Sequence, residues 1–487
     1  MLFFSTRNHT IKKTPAQAIL EGLAPDGGLY IPESFPLFPM DRLSEMSDTD
    51  VSTYILSSLF DDFSKEEIES FVHAAYDKSF ENGEISPLKK VGGSYVMELW
   101  HGPTCAFKDV ALQVLPYLLT ASAKKCGVSD NICILTATSG DTGSAALAGF
   151  SDIAGTSIIV FYPDGGVSPM QKKQMVSCPG KNTSVVAIRG NFDDAQSGVK
   201  RIFSELTPPA GVRFSSANSI NIGRLAPQIA YYFIAYRSLL NRGKITMGDK
   251  INFVVPTGNF GDILAGYFAK KMGLPVGKLI CASNENRVLA DFFETGVYDK
   301  RRDFHLTSSP SMDILISSNL ERLVAMFCGP ETTCMLMEDL RQSGVYQIKK
   351  CVMEKISEEF SANWASQEET AQTIRNVFER YGYLLDPHTA VAMCVLGKCN
   401  DYEDIQQSPT VVLSTASPYK FTKNVLAALG VGSTGDEFSD LQALYDFSKM
   451  PIPSALSRLQ KATVYHNTVV EINEMETHVS TCVKEKA

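Results

Sequence analysis

The sequence predicts an α/β protein with doubly wound parallel sheets, and two observations support this fold class. From about Val91 onward, short apolar runs alternate with amphipathic segments at a steady spacing, as in successive βα units. Several of the turns between a predicted strand and the next helix are rich in glycine, which is typical of ligand sites at the carboxyl ends of parallel strands. We therefore expect ligands to bind at those strand ends.

The predicted elements follow from the apolar periodicity. The apolar runs predict strands over 132–135, 157–162, 184–188, 251–255, 278–282 and 410–414. The amphipathic segments predict helices over 140–149, 169–176, 193–203, 222–240, 263–272, 288–295 and 368–381. The remainder of 300–385 is hard to parse, and the last ~50 residues, polar and acidic, are expected to form a peripheral helix and tail.

Composition narrows the functional class. The 487 residues are 44% hydrophobic and 20% charged, as in ordinary globular proteins of two or three domains. The net charge of −9 and the lack of basic runs disfavour a nucleic-acid partner, and no apolar run approaches the ~18 residues that a membrane span needs. The eleven cysteines form no Cys-x-x-Cys pair, so we expect neither a metal site nor disulfides. Scattered cysteines of this kind are typical of small core residues in a reducing compartment, so we expect a cytoplasmic location.

Two glycine-containing turns are candidate anion sites. The segment Gly258-Asn259-Phe260-Gly261-Asp262 follows a predicted strand and opens a helix, so its N–H groups could bind a phosphate. The segment from Ser139 to Thr142 stands in the same position after an earlier strand and could bind a substrate carboxylate. A structural glycine turn explains the first segment equally well, and simple helix capping by Ser139 or Thr142 explains the second.

Lys108 is the candidate nucleophile. It begins an apolar helix and follows Phe107, and a lysine held against apolar surface has a lowered pKa that makes it a nucleophilic amine. Taken alone, Lys108 would more often be a solvated lysine, as most lysines at a helix start are. The segment Gly430–Gly435 matches the dinucleotide pattern G-x-G-x-x-G, but it follows a predicted helix rather than a strand, so we do not assign it to a nucleotide.

Taken together, the chain resembles the threonine synthases, pyridoxal-phosphate enzymes of the tryptophan-synthase-β-like fold (fold type II). The resemblance extends over about residues 4–430 in family order. The segments that carry it, besides the three turns above, are Phe4–Arg7, Pro25–Tyr30, Tyr162-Pro163, Ser168-Pro169, Asn191–Asp194, Asn218–Asn221, Pro310–Ile314, Asp386–Ala390 and Leu413–Ala416.

The resemblance implies a division of the chain and a set of roles. It implies an N-terminal domain over 1–85, a smaller cofactor domain over 86–245, a larger one over 246–432 and a peripheral segment over 433–487. Lys108 is similar to the family's Schiff-base lysine, and the segment 258–262 to its cofactor-phosphate site. Thr415 is similar to the hydroxyl that binds the pyridine nitrogen, and Asp141 takes the position where many relatives place an Asn beside the cofactor O3′. Because a carboxylate beside a phenolate is unfavourable unless one holds a proton, the protonation of Asp141 stays open.

The resemblance also implies the reaction. It is the conversion of O-phosphohomoserine and water into threonine and phosphate, with Ser139 and Thr142 on the substrate carboxylate. The leaving phosphate needs cations, and the candidates are Arg224, Lys172 and Lys173, although ordinary surface solvation explains these side chains more readily. A dehydratase or phospho-lyase that releases a 2-oxo acid is the alternative enzyme, and a non-catalytic binding protein is the alternative class. We expect a monomer or homodimer with a small-molecule substrate.

Two segments depart from the family pattern. Many relatives have His where this chain has Ser417, and often His-Gly-Arg where it has Asp164-Gly165-Gly166. If those side chains touch substrate, the contacts to its phosphate differ in this protein.

Overall fold

A computed structural model describes residues 1–80, 83–399 and 407–486. The strands are β1 Phe3–Ser5, β2 Lys12–Lys13, β3 Tyr30–Pro32, β4 Leu88–Val91, β5 Ser94–Glu98, β6 Asn131–Ala137, β7 Thr156–Pro163, β8 Thr183–Ile188, β9 Val212–Ser215, β10 Ile251–Pro256, β11 Val276–Ser283, β12 Val297–Asp299, β13 Val345–Gln347, β14 Phe360–Trp364, β15 Thr410–Ser414 and β16 Thr468–Val470.

The described part of the chain also contains α-helices of 4 to 18 residues. They are α1 Pro15–Glu21, α2 Asp48–Leu59, α3 Lys65–Tyr76, α4 Lys108–Lys125, α5 Asp141–Phe150, α6 Pro169–Val176, α7 Phe192–Glu205, α8 Ile222–Leu225, α9 Ile229–Asn241, α10 Gly261–Lys271, α11 Val288–Thr295, α12 Leu320–Cys328, α13 Pro330–Gln342, α14 Lys350–Glu359, α15 Gln367–Tyr381, α16 Pro387–Cys399, α17 Thr422–Ala428, α18 Glu437–Ser448, α19 Ser454–Ser457 and α20 Met475–Lys486. Short 3-10 turns include Ala226–Gln228, Pro310–Met312 and Pro418–Lys420.

Two larger sheets form the frame of the molecule. A five-stranded sheet has the order β16-β8-β7-β6-β9 and is parallel throughout. A six-stranded sheet has the order β14-β11-β10-β15-β5-β4, and only the β4–β5 pair in it is antiparallel. A three-stranded antiparallel sheet is built from β1, β2 and β3, and β12 pairs with β13. The predicted α/β fold class with parallel sheets is confirmed.

Both faces of each large sheet are covered, because successive side chains of a strand point to opposite faces. In β6, Ile132 and Ile134 pack into the main apolar core, whereas Cys133 and Leu135 pack into a second cluster with α7 and α20. In the six-stranded sheet, Phe253 belongs to the main core, and its neighbour Val254 packs into a cluster with α16. This alternation is the doubly wound arrangement that the sequence predicts.

Strand pairing in the two large sheets crosses the predicted domain boundaries. The boundaries themselves stay a prediction. Residues 88–98, which the predicted division places in the smaller domain, form β4 and β5, and β5 pairs with β15 in the six-stranded sheet. Strand β16, from the segment expected to be peripheral, pairs in parallel with β8 at the edge of the five-stranded sheet. Pairing partners of this kind are separated by hundreds of residues, so local patterns do not reveal them.

Arg322 ties the N-terminal segment to the rest of the molecule. Its guanidinium is fully buried and donates from Nε to the carbonyl of Tyr30 at 2.9 Å and from Nη2 to the carbonyl of Ile220 at 2.5 Å. It also donates to the side chain of Asn319. Nearby, Arg7 donates to both oxygens of Glu321 at 2.9 and 2.8 Å, a bidentate pair. The N-terminal sheet is thus bonded directly to the start of α12.

Candidate active site

Lys108 begins α4, and its side chain is only 10% exposed. The amine Nζ lies 3.1 Å from the hydroxyl of Ser311, 3.3 Å from Oδ2 of Asp141 and 5.0 Å from the centroid of the Phe107 ring. Burial lowers the pKa of Lys108, and the nearby charges of Arg224 and Lys420 act in the same direction, while Asp141 opposes them. The result is an amine shifted toward its neutral, nucleophilic form.

Asp141 occupies the first position of α5 and is 3% exposed. Its Oδ1 accepts from Lys420 Nζ at 2.6 Å and from Gln171 Nε2 at 2.8 Å, and its Oδ2 faces Lys108 and, at 3.4 Å, the Ser311 hydroxyl. Burial alone would raise the pKa of Asp141, but the positive charges of Lys420 and Lys108 outweigh it and hold the pKa well below its usual range. The group is therefore a carboxylate.

The loop before α5 leaves two hydroxyls for a ligand. The hydroxyl of Thr138 accepts the N–H groups of Gly140 at 2.9 Å and Gly143 at 2.8 Å, so the capping that Ser139 or Thr142 might supply comes from Thr138 instead. Gly140 has φ 131°, and a Cβ there would lie 2.2 Å from the Gln171 side chain. Ser139 and Thr142 are both partly exposed at the carboxyl end of β6, where α/β folds bind ligands.

The glycine turn at 258–262 follows β10 and opens α10. Phe260 is in the left-handed region with φ 62°, a strained conformation for a bulky residue, and its buried ring packs on Phe293 and Phe360. A Cβ on Gly258 would lie 2.4 Å from the backbone carbonyl of Ser311, so only glycine fits there. Ser311 thus contacts both the glycine turn and the Lys108 amine.

Asp262, the last residue of that turn, is directed elsewhere. Its carboxylate accepts hydrogen bonds from Tyr231 and, at 3.0 Å, from Tyr232, and all three residues are buried. Burial raises its pKa to about 6, an effect that the two tyrosine hydroxyls partly offset. Any contact of Asp262 with an anion in the turn would come from its backbone N–H rather than its carboxylate.

Thr415 directly follows β15 and is 5% exposed. Its carbonyl accepts the N–H of Phe107 at 2.9 Å, and Ala416 forms a β-bridge with Ala106. The backbone of Thr415 is therefore bonded to the residue before Lys108. The segments 104–108 and 415–417 form one wall of the site.

Of the three candidate phosphate ligands, only Arg224 lies inside the protein. It is 4% exposed, donates from Nη1 to the carbonyl of Ala217 at 2.6 Å, and its Nε has no hydrogen-bond partner. Burial lowers its pKa to about 10. Lys172 pairs with Asp164 on the surface at 3.3 Å, and Lys173 donates to the carbonyl of Ala462 at 2.9 Å. Arg224 is thus the buried cation with a donor to spare.

Sequence reasoning missed three residues of this cluster. Lys420 and Gln171 bind Asp141, and His388 Nε2 accepts the backbone N–H of Ser311 at 3.3 Å while its Nδ1 bonds Asp386 at 2.8 Å. Gln171 and His388 stand within or beside quoted segments of the resemblance, Ser168-Pro169 and Asp386–Ala390. Lys420 follows Ser417 by three residues, and no local pattern distinguishes it from a surface lysine.

The two departures from the family pattern have structural roles in this chain. Ser417 is fully buried, and its hydroxyl accepts the N–H of Tyr419 at 3.3 Å, which caps the 3-10 turn that carries Lys420. Its own N–H donates to the carbonyl of Cys105 at 3.1 Å. Asp164 is exposed and pairs with Lys172. The Gly430–Gly435 segment follows helix α17, as expected.

Comparison with known proteins gives three family matches in chain order. The family described as "Threonine synthase N terminus" matches residues 2–76, "Pyridoxal-phosphate dependent enzyme" matches 84–329, and "Threonine synthase, C-terminal" matches 389–479. Together they cover most of the chain, and the longest stretch between them is 330–388.

Individual relatives agree with the family matches. Threonine synthase-like 1 of Homo sapiens is 37% identical over 497 residues, covering 96% of this chain. The threonine synthase of Saccharomyces cerevisiae is 36% identical over 491 residues, covering 94% of this chain and 93% of its own length. The crystal structure of pyridoxal-phosphate-bound threonine synthase from Brucella melitensis superimposes with a TM-score of 0.88 at 37% identity, covering 99% of this chain and 100% of that one.

The relatives differ in length. The chain spans 66% of the human threonine synthase-like 1 protein, slightly less than two thirds of it.

Proposed function

Since this chain belongs to the threonine synthase family of pyridoxal-phosphate-dependent enzymes, we propose that it converts O-phospho-L-homoserine and water into L-threonine and phosphate. One observation carries the proposal: the buried Lys108 amine lies 3.1 Å from the hydroxyl of Ser311, whose backbone closes on the Gly258 turn. Ser311 therefore contacts both the Lys108 amine, the proposed nucleophile, and the Gly258 turn, the proposed anion site.

The residues present fit pyridoxal phosphate. The cofactor needs a lysine to bind its aldehyde, N–H donors for its phosphate and a polar group near its ring nitrogen. Lys108 supplies the amine, and residues 258–261 at the start of α10 supply N–H groups reinforced by the helix dipole. Thr415 supplies a neutral hydroxyl, which would leave the ring nitrogen largely unprotonated and moderate its electron demand.

When bound, the cofactor ring supplies a sink for the electrons released at the substrate's Cα. The protein's own part is to move protons. With the substrate bound, Lys108 would serve as the base that takes the proton from Cα, because burial lowers its pKa and favours the neutral amine. We also assign to Lys108 the proton transfers at Cβ and Cγ that accompany loss of the γ-phosphate and addition of water at Cβ.

Three residues are proposed to hold the substrate. The partly exposed hydroxyls of Ser139 and Thr142, together with the first N–H groups of α5, suit the α-carboxylate. Arg224 suits the γ-phosphate, since its Nε lacks a partner and it forms no ion pair within the described chain. We assign Asp141 to the site beside Lys108, in carboxylate form.

The decisive experiment combines spectroscopy with product analysis. Purified protein with pyridoxal phosphate should develop the visible absorbance of a lysine imine, and Lys108→Ala should abolish both this band and turnover, whereas Lys181→Ala, which changes an exposed lysine, should alter neither. With O-phosphohomoserine the product should be threonine. A 2-oxo acid would identify a phospho-lyase or dehydratase instead, and a colourless wild type without turnover would refute the enzyme assignment.

The cellular setting is also proposed. A cytoplasmic location is supported by the eleven cysteines, none of which forms a disulfide in the described chain. No described helix is long and apolar enough to cross a membrane. The expected monomer or homodimer stays a prediction.

A further inference from the structure

Two lysines from distant parts of the chain meet at one buried carboxylate. Lys420 is completely buried, and its Nζ lies 2.6 Å from Oδ1 of Asp141. Gln171 donates to the same oxygen at 2.8 Å, so Oδ1 receives two donors from two different elements. The other oxygen, Oδ2, lies 3.3 Å from the Lys108 amine. The two oxygens of Asp141 therefore have separate partners.

We propose that Lys420 is a positioning residue for the reacting amine: it binds one oxygen of Asp141 and so leaves only the other oxygen to Lys108. The inference rests on the proposed function, in which Lys108 carries the cofactor. Within the described chain Lys420 forms no hydrogen bond with Lys108, so it would act through the Asp141 carboxylate, through its own charge and through a contact with the loop that precedes Lys108.

The electrostatic reason lies in what Asp141 would do without Lys420. A buried carboxylate with no other cation would form a tight ion pair with Lys108 and hold it as an ammonium, which has no lone pair to attack an aldehyde. The charged groups facing Lys108 are Asp141, Lys420, Arg224 and the more distant Asp262. Lys420 and Arg224 both disfavour the Lys108 ammonium, and Lys420 also neutralises the carboxylate that would favour it.

A second contact of Lys420 acts on the same amine. Its Nζ donates to the carbonyl of Thr104 at 2.9 Å, in the loop that leads into Lys108. That loop contains Cys105 in the left-handed region with φ 58°, a strained conformation for a non-glycine residue. Holding Thr104 fixes the start of this strained segment, and with it the direction from which Lys108 enters the site.

The test measures the pH dependence of imine formation when pyridoxal phosphate is added to the cofactor-free protein. Lys420→Met should raise the pH midpoint of the imine absorbance by about one unit or more, since a cation that opposes the Lys108 ammonium is lost. Lys420→Gln, which keeps N–H donors without the charge, should also raise it. Lys423→Met, an exposed lysine three residues later, is the matched control and should leave the midpoint unchanged.

A paired variant separates charge from shape. In Asp141→Asn combined with Lys420→Met, both charges disappear, and the midpoint should return to within about half a unit of the wild type. A wild-type protein that forms no imine would defeat the proposed function itself. A wild type that forms the imine, with midpoints unmoved in both Lys420 variants whatever their melting temperatures, would overturn this inference alone.

Discussion

Burial sets the proton affinity of Asp262 at the head of α10. The carboxyl group accepts hydrogen bonds from Tyr231 and Tyr232, yet burial raises its pKa to about 6, and these hydrogen bonds and the charge of Lys108 offset the effect only in part. An unfolded aspartate titrates near ~3.9. The folded state therefore binds the proton more tightly than the unfolded state does.

This difference predicts a pH dependence of stability. The stabilising contribution of protonated Asp262 is fully present below about pH 4 and is lost as the pH rises through about 6. Asp262→Asn should increase the free energy of unfolding at pH 8 by up to about 3 kcal/mol, and so raise the melting temperature. At pH 4 the same substitution should change the stability little. The measurement is thermal unfolding at both pH values, with exposed Asp303→Asn as the control. Equal losses at both pH values would show that the tyrosine contacts need the charge.

The residue scale also shows what a sequence can and cannot reveal about the site. Glycines at strand-to-helix turns single out the segments of Lys108, Asp141 and Gly258, and the resemblance to the threonine synthases supplies the roles predicted for them. Lys420 was missed because its importance comes from an ion pair with a residue 279 positions earlier, which follows only from how the strands are ordered. The sequence also does not reveal which way the Asp262 carboxylate points, because its direction is set by hydrogen bonds from Tyr231 and Tyr232 of α9.

At the scale of elements, the turn between β10 and α10 requires glycine because the neighbouring segment 310–312 packs against it. The carbonyl of Ser311 approaches so closely that a Cβ on Gly258 would lie 2.4 Å away, and the contact is with backbone, which cannot rotate aside. The Ser317 hydroxyl also donates to the Gly258 carbonyl at 2.7 Å. The turn and the 310–319 segment are therefore one rigid unit.

Gly258→Ala is expected to separate that unit. The added methyl group should displace Ser311, weaken its contact with Lys108 and reduce the affinity for pyridoxal phosphate by about tenfold or more, as for a lost hydrogen bond to a charged group. Gly432→Ala is the control, since a Cβ there meets nothing within 4 Å. Cofactor titration followed by absorbance measures the effect. An affinity equal to that of the wild type would mean that the 310–312 segment yields freely.

Element boundaries were predicted well where periodicity was strong and poorly where a single residue interrupts it. Helices Pro169–Val176 and Val288–Thr295 have the predicted limits. The long helix predicted over 222–240 is instead broken into α8, a 3-10 turn and α9, because Pro227 lacks the N–H that a continuous helix requires. Strand β14 lies in the region that the sequence left unassigned.

At the scale of the whole molecule, the C-terminal helix completes the second face of the five-stranded sheet. Met475, Val479 and Val483 of α20 are buried against Ile159 and Phe161 of β7 and against α7. Close packing is needed at Gly198, where a Cβ would lie 2.4 Å from the sulfur of Met475. The helix is therefore part of the core and not a surface appendage, contrary to the predicted peripheral helix and tail.

Val479→Asp should consequently destabilise the protein by roughly 3 kcal/mol or more, because it buries an unpaired carboxylate. Thr477→Asp places the same charge on the exposed side of the same helix and should cost less than about 0.5 kcal/mol. Denaturant unfolding of both variants checks the difference. Similar stability of the two variants would show that α20 does not pack on the sheet in solution.

The buried guanidinium of Arg322 has a consequence for any attempt to shorten the protein. It joins the carbonyls of Tyr30 and Ile220 and the side chain of Asn319, which in turn donates to the carbonyl of Asn259 in the glycine turn at 3.0 Å. Removing strands β1 to β3 would take away the Tyr30 carbonyl that accepts from Arg322. Arg322 is connected through two hydrogen bonds, by way of Asn319, to the glycine turn that is proposed to bind the cofactor phosphate. We therefore expect a variant truncated at the N-terminus to bind pyridoxal phosphate more weakly before its fold is lost.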